Sequence, residues 1–222
     1  MRFHKKDTAL VVIDPQNDVL SEKGISWGLV GESIQENDTV ENLARLFEAA
    51  KNQDYGVFIS PHYLYPHDQA WQFGGAVEHM MLDGKEFFRP DPLGIEGFLG
   101  SGADWLERYK PFIEDGKTIV VSPHKMWGPQ TNDLVFQLRK RRINKIILAG
   151  MLANLCVESH LRELLEQGFE VAVVKDATAG PRHPTIGDGY TAAVINYGFL
   201  ANAVLTTKDA VQAMNSSDVI LA

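Results

Sequence analysis

Ala9-Leu-Val-Val-Ile-Asp14 is an apolar run, rich in β-branched residues and closed by a carboxylate. The lack of polar alternation marks a strand covered on both faces, as central parallel strands are. The pattern recurs at Gly56-Val-Phe-Ile-Ser-Pro61, Thr118-Ile-Val-Val-Ser-Pro123, Lys145-Ile-Ile-Leu-Ala-Gly150, Glu170-Val-Ala-Val-Val-Lys-Asp176 and Ala203-Val-Leu-Thr-Thr207. Helical periodicity fills the intervals. Residues 38–51 carry Val40, Leu43, Ala44, Phe47 and Ala50 on one face, with Asp38 as the expected N-cap. Residues 156–167 carry Val157, Leu161, Leu164 and Leu165, and Gly168 is placed to end that helix. Further helices are expected over 132–142 and 188–197. Strands alternating with helices predict an α/β fold: a six-stranded, mostly parallel sheet with helices on both faces, a Rossmann-like three-layer α/β/α arrangement.

The chain has 222 residues, 21 Lys+Arg against 29 Asp+Glu (net charge −8), 45% hydrophobic residues and one cysteine. That length fits a single domain over 1–222 with a substantial core. The acidic balance argues against nucleic-acid or anionic-membrane partners, which need basic surfaces. The lone thiol, Cys156, cannot form an internal disulfide. The N-terminal apolar run breaks at Asp14, too early for a signal-peptide core, and no run is long enough to span a bilayer. A cytoplasmic protein is the expectation. The connection over 62–117 is longer than a crossover needs. Its Trp71, Phe73, Phe87, Phe88, Trp105 and Phe112 suit a lid or pocket wall; a plain surface excursion with one helix near 104–110 is the alternative.

Ligands of open α/β sheets bind beyond the carboxyl ends of the strands. Strand one delivers Asp14, strand two His62, strand three His124 and Lys125, strand four the 151–155 loop and Cys156, and strand five Asp176. An acid, a base and the only thiol thus converge on one edge. Cys156 is expected to open a helix whose free amides favour a thiolate and could hold an oxyanion. A Lys125 ammonium nearby would lower the thiol pKa, and Asp14 could take its proton. A small buried core cysteine is the competing reading, as is a turn-capping role for Asp14.

These segments resemble the isochorismatase-like cysteine hydrolases. Val-Val-Ile-Asp14-Pro-Gln16-Asn17-Asp18 is similar to their D-x-Q-x-D opening, and His124-Lys125…Gln130-Thr131-Asn132-Asp133-Leu134 to their lysine segment. Gly150-Met-Leu-Ala-Asn154-Leu-Cys156-Val157 resembles the nucleophile motif G-x-x-[TA]-[DN]-x-C-V. The resemblance runs from about Ala9 to Thr207. It implies Cys156 as nucleophile, Asp14 as general base and Lys125 as the orienting cation. It also implies a non-proline cis peptide at Met151–Leu152 that turns the Leu152 and Cys156 amides toward the substrate oxygen. The reaction implied is hydrolysis of a C–N bond in a small carboxamide or ureido substrate through a thioester, in a homo-oligomer and without a cofactor.

Nicotinamidases of this superfamily carry a D-x-H…H metal motif. Here the segment reads Ser60-Pro61-His62…His67, with serine in place of the acid, so no metal is expected. Gln16, His62, Trp71 and Trp127 are candidate pocket residues, and Arg89 or Arg182 could meet a substrate carboxylate. Two alternatives stand beside the amidohydrolase: isochorismatase-type vinyl-ether cleavage, and a non-catalytic α/β binding domain with an inherited site. A thiolate present well below pH 8 would favour the enzyme.

Overall fold

The computed structural model describes residues 1–216, so 217–222 of the expected domain lie outside the described residues. The apolar runs form six parallel strands: β1 (Thr8–Ile13), β2 (Gly56–Ser60), β3 (Ile119–Val120), β4 (Lys145–Gly150), β5 (Glu170–Val174) and β6 (Ala203–Leu205). Their spatial order is β3-β2-β1-β4-β5-β6. The helices of seven or more residues are α1 (Trp27–Glu36), α2 (Thr39–Asn52), α3 (Ala76–Gly84), α4 (Leu134–Lys140), α5 (Glu158–Glu166), α6 (Gly189–Leu200) and α7 (Thr207–Asn215).

The period of two along β1 sorts its side chains into two cores. Leu10 and Val12 pack with Leu43 and Phe47 of α2 and Met214 of α7. Ala9, Val11 and Ile13 pack with Leu138 of α4, Leu161 and Leu164 of α5 and Tyr197 of α6. The three-layer expectation therefore holds. Each large side chain so buried contributes about 1.5–3 kcal/mol.

Local expectations differ in places where a polar side chain is used elsewhere. Asp133 accepts from both the backbone and the hydroxyl of Ser122, and Asn132 caps Leu134 N at 3.0 Å, so α4 starts later than its pattern. β3, an edge strand, is correspondingly short. Asp38 sits before α2 with φ 50° and makes no capping hydrogen bond through its side chain. Cys156 does not open an α-helix but lies within one π-helical turn, Ala153–Val157, ahead of α5. The insert holds α3, then a 3-10 turn (Glu107–Tyr109) and a short helix (Lys110–Ile113) where one helix was expected.

One contact sets the carboxyl edge. β1 and β4 pair through Ile13 opposite Gly150. Gly150 has φ 115°, and a Cβ there would meet the Ile13 carbonyl oxygen at 2.1 Å and its nitrogen at 2.5 Å. Only glycine combines that backbone conformation with that approach. Gly150→Ala should cost at least about 3 kcal/mol, since left-handed strain adds to a backbone clash. Thermal melts should show the loss, whereas Gly198→Ala, where nothing lies within 4 Å, should be close to neutral.

Candidate active site

Immediately after β1 the chain leaves the sheet through Asp14, whose φ of 49° is tolerated better by Asp than by most residues. The carboxylate is 1% exposed and the Cys156 residue 6%. The thiol donates to the Met126 carbonyl oxygen at 3.5 Å, and its sulfur lies within 4.8 Å of an Asp14 carboxylate oxygen. The Met151–Leu152 peptide is cis, and the Leu152 amide opposes the rise in the Cys156 thiol pKa.

Lys125 does not join this pair. Its Nζ lies 2.6 Å from Asp68 Oδ2 and 3.2 Å from the Tyr63 carbonyl oxygen, over the ring of Tyr65. The group beside Asp14 is instead His124, whose Nε2 donates to Asp14 Oδ1 at 2.9 Å. Two further buried imidazoles surround it. His62 lies with its ring centroid 4.8 Å from that of His124, and its Nε2 donates to the Lys125 carbonyl at 2.6 Å. His160, one turn beyond Cys156, donates from Nδ1 to the Cys156 carbonyl at 2.7 Å and accepts from Ser60 Oγ at 2.9 Å.

Burial governs the charges. It pushes Asp14 up from 3.8 to about 7, against the pull of His62 and His160. It pushes His62, His124 and His160 down to about 3, leaving three neutral rings at neutral pH. Burial first, then the Asp14 carboxylate, raises the Cys156 thiol well above its ordinary range. The expected thiolate, stabilised by a helix terminus and Lys125, is thus reversed: Cys156 carries a protonated thiol next to a buried carboxyl.

A cavity of about 510 Å³, mostly apolar, opens above Asp14 and Cys156. The insert supplies one wall through Val77, Met81, Glu86 and Phe87, and Trp127, Leu152 and the 181–189 segment supply others. Of the candidate pocket residues, His62 and Trp127 line the cavity. Trp71 packs partly buried against the core instead. Gln16 is wholly buried and clasps backbone: Nε2 donates to the carbonyls of His62 and Ala103, and Oε1 accepts from His62 N. Arg89 donates to the Asp91 and Gly94 carbonyls and stacks over Tyr63 and Phe98. Arg182 lines the cavity but is held by Glu32, Glu36 and Asp188.

Three residues that sequence reasoning left unassigned matter here. His160 stands four positions after Cys156, a spacing that could have flagged it. His124 was masked by its lysine neighbour. Glu86, in the insert, gave no signal; it lines the cavity, is bonded by the Ser26 hydroxyl, and burial raises it to about 7. The D-x-H…H donor set does not assemble, because Ser60 bonds His160 and Asn132 while His67 stays exposed beside Asp68.

The isochorismatase domain profile matches residues 8–210. The chain belongs to the isochorismatase family. It is 27% identical over 189 residues to the ureidoacrylate amidohydrolase RutB of Variovorax paradoxus (strain S110), covering 80% of this chain and 71% of that one. Its fold is similar to that of a cysteine hydrolase from Pseudomonas syringae pv. phaseolicola 1448A (TM-score 0.80, 19% identity, 98% and 97% of the two chains). The N-carbamoylsarcosine amidase of Thermoplasma acidophilum is a further structural relative (TM-score 0.65, 19% identity, 90% and 96%). The protein is a hydrolase of this family.

Asp14→Asn tests the electrostatics in two ways. Folded Asp14 keeps its proton up to about pH 7, whereas the unfolded carboxyl loses it near 3.8. Its stabilising effect is therefore complete below pH 3.8 and lost as pH rises through 7, a difference on the order of 4 kcal/mol. The variant should melt above the parent at pH 8, with the gap narrowing toward pH 5. Iodoacetamide labelling of Cys156, followed by intact mass, should be slow at neutral pH and rise only in the alkaline range. In Asp14→Asn the labelling midpoint should fall, because the adjacent anion is gone.

Proposed function

We propose that this family member is a cysteine amidohydrolase that cleaves the C–N bond of a small carboxamide or ureido compound. The observation that carries the reading is the buried Cys156 thiol, within 4.8 Å of the Asp14 carboxylate, at the floor of a mostly apolar cavity. Asp14 takes the thiol proton as sulfur attacks the substrate carbonyl carbon, and the Leu152 and Cys156 amides stabilise the oxyanion. The proton then passes from Asp14 to the nitrogen as the C–N bond breaks, leaving a thioester. Water adds to that thioester with Asp14 again as base. The S–C bond breaks, the acid product departs and the thiol regains its proton. His124 keeps the Asp14 carboxyl in place as a neutral donor, the position assigned by resemblance to Lys125.

The lining also narrows the substrate. Asp14, Glu86 and Asp188 are acidic, and the lining arginine, Arg182, is already paired with three carboxylates. An anionic substrate therefore finds no unpaired lysine or arginine among the described lining residues and meets like charge as Asp14 and Glu86 ionise near pH 7, whereas an uncharged or cationic amide can bond to Glu86. Ureidoacrylate, acted on by the RutB relative, is an acid by its name, and this cavity suits it poorly. A protein with one thiol kept reduced, working on small molecules, fits a cytoplasmic setting.

Ammonia release from paired amides, differing only in a terminal carboxylate, should favour the uncharged member by about 10-fold or more in kcat/KM. Glu86→Gln should narrow that preference. For the favoured amide, kcat/KM should rise with pH through about 7 as Asp14 ionises. Cys156→Ala should abolish turnover; hydrolysis persisting in that variant would point to ether cleavage or another chemistry.

A further inference from the structure

The same floor has a property that hydrolysis does not use. Asp14, His62, His124 and Cys156 each offer one ligand atom, and these four atoms lie within 4.8 Å of one another, all on buried residues. We propose that the four side chains form a binding site for a borderline-soft divalent cation such as Zn2+, and that its occupancy blocks Cys156.

Three observations support a site rather than a chance cluster. First, His62 donates from Nε2 to the Lys125 carbonyl, so its Nδ1 carries the lone pair, and that buried nitrogen has no hydrogen-bond partner. A backbone carbonyl that fixes the tautomer of a histidine is how metal-binding imidazoles are normally held. Second, no ammonium stands among the donors, because Lys125 is turned to Asp68. Third, the set supplies one thiolate, two imidazoles and one carboxylate, a combination suited to tetrahedral Zn2+ and unsuited to Mg2+ or Ca2+.

The donors are slightly too far apart for direct ligation. Tetrahedral bonds of about 2.0–2.3 Å put donor atoms roughly 3.3–3.8 Å apart, so the set must contract by about 1 Å across its widest edge. One edge is already closed, since His124 Nε2 and Asp14 Oδ1 are 2.9 Å apart. On binding, the Nε2 proton of His124 shifts to Nδ1 and the thiol proton leaves to solvent. The bound ion then faces a carboxylate and a thiolate, so the complex is neutral, which a buried site favours. With its lone pair on the metal, sulfur can attack neither an amide nor an alkylating agent.

The binding itself depends only on the donors, whereas the block of chemistry rests on reading Cys156 as the nucleophile. Titration of the purified chain with Co2+ alone separates the two. The expected result is one ion per chain, with a near-ultraviolet thiolate-to-cobalt band that Zn2+ displaces. Cys156→Ser should lose the band, and His62→Asn should weaken binding by about 10–100-fold or more. The exposed His67→Asn should bind as the parent does. Weak binding of several ions, equal in the parent, Cys156→Ser and His62→Asn, would overturn the site. Tight Co2+ binding that left Cys156 labelling by iodoacetamide unslowed would overturn the block while leaving the site. A parent without any amidase activity would affect only the functional reading, since the spectrum and the labelling do not depend on turnover.

Discussion

The contact between the end of β1 and the end of β4 determines what the rest of the molecule can do. With no Cβ at Gly150, the strand that precedes the 151–156 turn lies against the backbone of Ile13, one residue before Asp14. Asp14 and Cys156 are therefore brought together by paired backbone, the least deformable part of an α/β protein, and not by long side chains. The segment that carries Asp14 also ties down the insert. Gln16 bonds the backbone at His62 and Ala103, and Asp18 Oδ2 accepts from Phe87 N at 2.6 Å. Two members of the D-x-Q-x-D motif, Gln16 and Asp18, thus position the cavity wall, while Asp14 lies at the cavity floor.

Within that frame burial outweighs attraction. Asp14 sits beside three imidazoles that pull its proton affinity down, yet its own burial raises it to about 7, and burial also keeps those rings neutral. A site of neutral rings and a protonated thiol carries little fixed charge. It can move a proton between sulfur, carboxyl and a leaving nitrogen without separating charge in a low-dielectric pocket. With no ammonium among these donors, loss of the thiol proton and a tautomer change at His124 are enough to turn four lone pairs toward a cation.

The fold was legible because fully buried parallel strands are continuous apolar runs, and six of them in order leave few alternatives. Asp14 and Cys156 were legible because strand ends and a distinctive motif mark them. The helices at Trp27–Glu36 and Ala76–Gly84 were not: Gly28, Gly31 and Ser33 break up the apolar face of the first, and the second buries only Met81. Glu86 was not legible either: its role comes from a cavity assembled by α3, the 181–189 segment and the nucleophile turn, which no local pattern encodes.

The placement of Lys125 turns on a single position of register. His62 and His124 form a parallel bridge just past β2 and β3, and His124 N donates to the Pro61 carbonyl at 3.0 Å. That bridge continues the sheet's alternation for one more step, so adjacent side chains must point to opposite sides. His124 takes the side facing Asp14, and Lys125 takes the other, where Asp68 and the Tyr65 ring receive it. A dipeptide that offers both a histidine and a lysine cannot show from its letters which one faces inward; the register of the bridge decides. In this chain it decides for a neutral ring, and the electrostatics of the whole floor follow from that choice.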